Sequence, residues 1–371
     1  MVMPTLTESG CRLTDFVEVL ADRTEPTDYP HAAAIEQEVL IYDREGLLAA
    51  PDEELAHALS AGPGVVVIRG AFPDVSVVDR ATVVIEQLIA QQREAGLAVG
   101  DHFAPPGTNE RVWNALEKLA VAAPEVFVDY YANETIAKIA NAWLGPAYQV
   151  TSQPNVVNPG GVAQSGHRDY HLGFLAAETI ARYPEHVQRL SPVLTLQGAV
   201  AHTDMPVESG PTMYLPHSQK YVPGYLAMNL PEFQAYFVEH HIQLPLRKGD
   251  GAFFNPAVFH GAGSNRSAGI RRFANLLQIS SAFGRAMDAV DRTRVCAAIY
   301  TALAAHPHPE HAIAAAAEGY AFPTNLDRDA AVNGLAPPSQ ADLVRQALAE
   351  GWAEDRFRTA LDAHAHRHET R

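Results

Sequence analysis

A chain of 371 residues with 25 Gly and 26 Pro spread along its length is turn-rich and long enough to bury one enzyme-sized core. Its formal charge of -16, from 27 Lys and Arg against 43 Asp and Glu, repels phosphate backbones and anionic headgroups, so neither nucleic acid nor a membrane surface is an expected partner. Two cysteines, Cys11 and Cys296, make no disulfide framework and fit a reducing compartment; without a basic-then-apolar leader or a bilayer-length run, the expected location is cytoplasmic.

In chain order, Gly64-Val65-Val66-Val67-Ile68-Arg69-Gly70 is a short apolar run between breakers and reads as a buried strand. Helical patterns follow over residues 77–94, 110–122 and 133–144, the last ended by Gly145-Pro146. From Tyr148 to Ser281 the chain turns to short strand-like runs broken by Asn158-Pro159-Gly160-Gly161, Glu208-Ser209-Gly210-Pro211 and Lys248-Gly249-Asp250-Gly251, the pattern of a sandwich or jelly roll. Residues 174–190 have helical composition and predict an insertion between strands. Beyond Phe283 helices return: Val295, Ile299, Ala302 and Leu303 form one stripe, and Leu343, Ala347, Leu348 and Trp352 another after a Ser339-Gln340-Ala341-Asp342 capping box. These helices either pack on the jelly roll or supply a homodimer face. The expected organisation is an N-terminal extension over residues 1–62, a catalytic domain over 63–282 with its insertion near 174–192, and a C-terminal helical extension over 283–371.

In Gly166-His167-Arg168-Asp169-Tyr170-His171, positions 167, 169 and 171 share one face if the segment is a strand. His260 ends the run Ala252 to Phe259, where a third ligand from another strand would stand. Two imidazoles and one carboxylate on one side of a metal make the facial triad of non-haem Fe(II) oxygenases. A histidine, any residue and an aspartate recur by chance as a polar strand end, so the context matters. The turn Ser264 to Gly269 and the apolar run Phe273 to Ile279 read as a hairpin after His260. A two-residue loop sets Arg271 opposite His260; a four-residue loop pairs His260 with Phe273 and keeps Arg271 on the same face. Either way Arg272 points outward. An arginine beside a metal ligand inside a barrel calls for an anion, and its planar fork suits a carboxylate.

His167-Arg168-Asp169, Glu208-Ser209-Gly210-Pro211-Thr212, Leu215-Pro216-His217-Ser218-Gln219-Lys220, Lys248-Gly249-Asp250 and His260-Gly261-Ala262-Gly263-Ser264-Asn265 with Arg271, taken in order, resemble the phytanoyl-CoA dioxygenase (PhyH-like) family of iron- and 2-oxoglutarate-dependent oxygenases. The resemblance implies an α+β fold, a double-stranded β-helix (cupin-like jelly roll) flanked by the helices above. It implies Fe(II) at His167, Asp169 and His260, with Arg271 on the distal carboxylate of 2-oxoglutarate and Gln164 and Thr212 as further cosubstrate contacts. It implies a dioxygenase that uses O2 to hydroxylate a C–H bond, giving succinate and CO2. In related halogenases a small residue stands where Asp169 stands, so a carboxylate there implies hydroxylation, desaturation or ring formation. His217, Gln219 and Ala262 depart from the family pattern. The acidic chain gives no basic cluster for the phosphates of an acyl-CoA, and the expected substrate is a small metabolite or natural-product intermediate. The other readings of the same residues are a metal-dependent cupin-like hydrolase or isomerase and a non-catalytic jelly-roll binding protein. Gln153 and Asn155, alternating on one strand, are expected either in the pocket or in solvent; His171 is expected to hydrogen-bond behind the ligands or to touch the substrate, and the histidines at 306, 308 and 311 and at 364, 366 and 368 to lie in solvated loop and tail. Phe174 to Leu190 and Gly319 to Pro323 are candidate lid segments.

Overall fold

The computed structural model describes residues 6–96 and 108–370, so the start of the Met1 to Gly10 stretch lies outside the described residues. Among the described residues eleven strands run in chain order: β1 Ala34–Glu36, β2 Val39–Asp43, β3 Val65–Arg69, β4 Asn109–Arg111, β5 Gln149–Val157, β6 Thr195–Ala201, β7 Thr212–Leu215, β8 Ile242–Gln243, β9 Gly251–Phe254, β10 Phe259–Ala262 and β11 Arg272–Ser280. They form one sheet in the order β1-β2-β3-β9-β6-β11-β5-β4 and a smaller one in the order β10-β7-β8, facing each other as a double-stranded β-helix. Both long strands of the centre, β5 and β11, are buried almost throughout. Sheet faces covered on both sides favour Val, Ile and Leu runs, and β3 is such a run.

Helices cover the outer face of the larger sheet. Their ends follow the sequence signals: Asp74 accepts from the Ser76 amide to start Val75–Glu94, and Asn133 accepts from Thr135 and Ile136 to start Glu134–Leu144, which stops at Gly145 with φ of 72°. The pattern read over 110–122 divides, because Asn109–Arg111 pairs with β5 and the helix starts at Ala115. The insertion forms two short helices, Ala177–Ile180 and Glu185–Leu190. In the C-terminal part Arg292–Ala305, Glu310–Ala316, Gln340–Ala349 and Glu354–His368 are helical, and the Ser339 to Asp342 capping box is formed.

One apolar cluster joins all three segments of the chain. It contains Leu40 and Tyr42 of the N-terminal part, Phe127, Val150 and Leu277 of the middle, and Val295, Ile299, Leu303, Val344 and Leu361 of the C-terminal helices. The stripe Val295, Ile299, Ala302 and Leu303 is therefore covered by its own chain, as is Ala347. No helix among the described residues is long and apolar enough to cross a membrane.

Candidate metal centre and cosubstrate cavity

His167 and His260 lie side by side. The amide of each donates to the carbonyl of the other, at 2.9 and 3.0 Å, as an isolated antiparallel bridge on the free edge of β10. On the other edge β10 pairs with β7, opposing His260 to Tyr214 and Ala262 to Thr212. Only residue 167 of its segment joins a ladder; the chain then turns into the short helix His171–Phe174, so the expected strand through 171 does not form. Asp169 still reaches the two imidazoles, its Oδ2 standing 4.0 Å from His167 Nε2 and 3.7 Å from His260 Nε2. The ligand atoms of all three lie within 4.8 Å of one another.

Local hydrogen bonds orient each donor. Nδ1 of His167 meets the Ser165 carbonyl at 2.9 Å and Nδ1 of His260 meets the Val258 carbonyl at 2.9 Å. A carbonyl only accepts, so both Nδ1 atoms carry a proton and both Nε2 atoms are aimed at Asp169. Burial raises the Asp169 carboxyl, but the hydrogen bond from His260, the two imidazoles and donation from Gln197 outweigh it and hold the group well below the usual carboxylate range. The Gln197 bond is 2.6 Å long, and Tyr225 donates to the Asp169 backbone carbonyl at 2.7 Å. Arg168, between the ligands in sequence, points away from them. It is fully buried, donates to the carbonyls of Ser218 and Tyr221, and lies over the Phe259 ring at 5.2 Å.

The triad opens into a cavity of about 460 Å³ between the sheets. Gln164 and Thr212 line it as expected positions, and Gln153 and Asn155 face it rather than solvent. Gln164 brackets Ala262, its amide donating to the Ala262 carbonyl at 2.8 Å and its Oε1 accepting from the Ala262 amide at 3.0 Å. Thr212 pairs with Ala262 from the opposite side.

Arg271 does not enter the cavity. Its side chain is 46% exposed and pairs with Glu86 at 2.9 Å and with Glu110 at 3.0 Å. Arg272 lines the cavity instead, 7% exposed, donating to the carbonyls of Ser209 at 3.4 Å and Gly263 at 3.1 Å. Burial pushes its guanidinium down to about 10, and among the described residues no carboxylate pairs with it. The physical reason for this correction is topological. β10 and β11 are not a hairpin: they belong to different sheets, and residues 263–271 cross between them. Asn265 ties the crossing, donating to the carbonyls of Val157 and Ile270 and accepting from the Ser267 amide. Side-chain parity is carried only along a continuous ladder, so His260 fixes nothing on β11. Within β11, Phe273, Leu277 and Ile279 pack under the helices, which leaves Arg272, Ala274, Leu276 and Gln278 to the cavity. That alternation is the signal in the sequence that identifies Arg272.

Other expected positions fall elsewhere. His171 contacts Ser191 behind the site, its imidazole lowered by burial. His217 packs on Thr24 and Lys220, and Gln219 donates to the Gly62 carbonyl, so both anchor the N-terminal part. His306, His308 and His311 border an outer groove, while His364, His366 and His368 belong to a helix rather than a solvated tail. Phe174 lines the cavity; Tyr320 packs between Phe283 and Phe322. Gln197 and Tyr214 are cavity residues the sequence reading passed over. A single glutamine inside the apolar run of β6 was the available sign for the first.

The phytanoyl-CoA dioxygenase (PhyH) family model matches residues 61–273. The chain belongs to this family. PhyH proteins are non-haem iron, 2-oxoglutarate-dependent enzymes, and the matched segment carries the whole triad. Among solved structures, the non-heme alpha ketoglutarate dependent carbocyclase SnoK from nogalamycin biosynthesis is 19% identical, covering 64% of this chain and 86% of its own, with a TM-score of 0.45. HygX from Streptomyces hygroscopicus, solved with nickel and 2-oxoglutarate bound, is 16% identical over 66% of this chain and 92% of its own, at a TM-score of 0.43. The alpha ketoglutarate dependent epimerase SnoN from nogalamycin biosynthesis is 19% identical over 62% and 83%, at 0.41. No sequence match is found among the curated proteins. The donor set fits the family's iron: two neutral imidazoles and a carboxylate from one side leave the remaining positions to the cavity.

Proposed function

We propose that this chain is an Fe(II)- and 2-oxoglutarate-dependent dioxygenase that hydroxylates a C–H bond of a small metabolite or natural-product intermediate. Arg272 carries the reading. A guanidinium buried without a counter-charge costs several kcal/mol unless an anion meets it, and this one stands in the wall of the triad's own cavity. Its fork matches a carboxylate bidentately. Hydrolysis or isomerisation on a metal does not by itself call for that cation, whereas a dicarboxylate cosubstrate does.

In this reading His167 Nε2, Asp169 Oδ2 and His260 Nε2 hold the metal, and Arg272, with Thr212 and Gln164 around Ala262, receives the distal carboxylate of the cosubstrate. Iron with 2-oxoglutarate and dioxygen supplies oxidative decarboxylation to succinate and CO2 together with the oxidation of a substrate C–H bond. The protein's part is placement and exclusion of water. Gln197 keeps the Asp169 carboxylate turned to the imidazoles, the two backbone carbonyls hold the Nδ1 protons and so aim both Nε2 atoms at the metal position, and Phe254, Leu244 and Leu246 line the cavity with apolar surface.

The deciding experiment is anaerobic titration of the purified chain with Fe(II) and then 2-oxoglutarate, followed by a screen for compounds that stimulate succinate formation in air. The expected result is one iron bound, dependent on Asp169, and 2-oxoglutarate binding dependent on Arg272. Activity with zinc and no turnover of 2-oxoglutarate would replace the oxygenase by a hydrolase.

A further inference from the structure

Strand β7 turns two polar side chains inward. Met213 and Leu215 pack outward with Phe16, Phe233 and Phe237, so the alternation leaves Thr212 and Tyr214 to the cavity, which both line. The ring of Tyr214 stands edge-on to Phe254 at 5.2 Å, and Phe254 stands edge-on to His260 at 4.7 Å. A phenylalanine at 214 would serve that packing equally well, so the hydroxyl is what packing leaves unexplained. The residue is 3% exposed, and buried phenols ordinarily find a partner. Burial pushes this one well above the ordinary phenol range, with the Thr212 hydroxyl beside it drawing it back, so it keeps its proton and stands as a donor.

Strand register fixes which end of the cavity receives that donor. Tyr214 sits opposite His260, at the metal end, but its hydroxyl lies by Thr212, two residues further along and opposite Ala262. Ala262 is the residue that Gln164 brackets, and the next carbonyl, that of Gly263, accepts from Arg272 Nη1 at 3.1 Å. Phenol and guanidinium therefore approach one point from two strands. Nη1 of Arg272 is occupied by the Gly263 and Ser209 carbonyls. A carboxylate accepts at about four lone-pair positions, more than the rest of one guanidinium can fill, and a neutral O–H supplies a further donor without burying a second charge.

We infer that Tyr214 is a cosubstrate-binding residue whose hydroxyl donates to the distal carboxylate of 2-oxoglutarate alongside Arg272. The inference rests on the oxygenase reading above and adds to it, because the family resemblance brings only an arginine, Gln164 and Thr212 to this end of the cavity. It also gives the site a means of telling a 2-oxo diacid from a 2-oxo acid with an alkyl tail: the tail would leave both the phenol and the guanidinium buried and unmet.

The test is calorimetric titration of the full chain, first with Fe(II) under anaerobic conditions and then with 2-oxoglutarate. 2-Oxovalerate, which has the same chain length and 2-oxo acid end but no distal carboxylate, is measured by its competition with 2-oxoglutarate. Tyr214→Phe keeps the ring and removes the hydroxyl. The Kd for 2-oxoglutarate is expected to rise about tenfold in the variant, while the constants for 2-oxovalerate and for Fe(II) change less than about twofold. A change below about twofold for 2-oxoglutarate overturns the inference, and so does a loss shared equally with 2-oxovalerate or with Fe(II), which would mark a disturbed metal end rather than a missing contact. Failure of the wild type to bind 2-oxoglutarate sinks the oxygenase reading itself; wild-type binding that Tyr214→Phe leaves intact sinks the role of the tyrosine alone.

Discussion

Arg272→Ala removes the guanidinium that lines the cavity and, in the proposed reading, leaves the cosubstrate carboxylate without a charged partner. Hydrogen bonds to charged groups contribute about 1.5–3 kcal/mol, so the Kd for 2-oxoglutarate is expected to rise about ten- to a hundredfold by calorimetry. Arg271→Ala is the matched control: it loses exposed pairs with Glu86 and Glu110, and the same titration is expected to change less than twofold. The opposite outcome would restore Arg271 to the site. Gln197→Leu takes away the donor that fixes the Asp169 carboxylate. Partners behind a ligand typically account for about 10–100-fold in metal affinity, and a loss in that range is expected by competition with a chelator. His167 and Asp169 were legible because a histidine and an aspartate two apart, followed far along the chain by a histidine at the end of an apolar run, form a recognisable donor set. Which of two adjacent arginines turned inward was not, because that depends on a crossing between sheets whose course no local pattern encodes.

Elements with local causes were legible as well. The run at β3, the stop at Gly145-Pro146 and the capping box at Ser339 each follow from a few neighbouring residues, and each formed. Ser339→Ala removes a cap whose hydroxyl accepts from the Asp342 amide, and it is expected to cost about 1 kcal/mol in urea unfolding. Elements with distant causes were not legible. The segment after His167 has the composition of a strand, yet pairing stops at one residue because β10 offers it only a short edge.

Between sheet and helices, His202 shows the same dependence on tertiary context. Thr82 and Tyr130 flank its two ring nitrogens at 2.8 and 2.9 Å, and burial pushes the imidazole down to about 3. An unfolded histidine takes up its proton near 6.5, so the stability tied to the neutral ring is full above that pH and is lost progressively as pH falls from there toward the folded value. Urea unfolding should therefore weaken by up to about 1.4 kcal/mol per pH unit below 6.5, and His202→Gln should flatten that slope by up to one proton. An unchanged slope in the variant would count against the assignment.

At the scale of the molecule, the division into extension, catalytic domain and extension that the sequence suggests does not correspond to separate cores. Phe127, Leu277, Val295, Ile299 and Val344 belong to one cluster. A chain ending after residue 282 would uncover the Ala115–Ala122 and Pro124–Tyr131 helices and β5, on which the C-terminal helices pack. Such a truncation is expected to be insoluble or to lack a cooperative thermal transition by circular dichroism; a soluble, cooperatively melting fragment would show that the helices are an independent unit. Stripes proposed for a partner copy are instead covered within the chain, which composition could not reveal because an apolar stripe reads alike in either use.

The crossing tied by Asn265 also bears on how this site can change. Since the arginine proposed to meet the cosubstrate takes its orientation from β11, residues gained or lost in the crossing alter its distance in sequence from the last metal ligand without turning it out of the cavity. A single residue inserted within β11 itself would exchange every inward and outward side chain that follows. Length variation is thus tolerable on one side of Arg272 and ruinous on the other, and counting from His260 is a poor way to locate the corresponding arginine in a related chain.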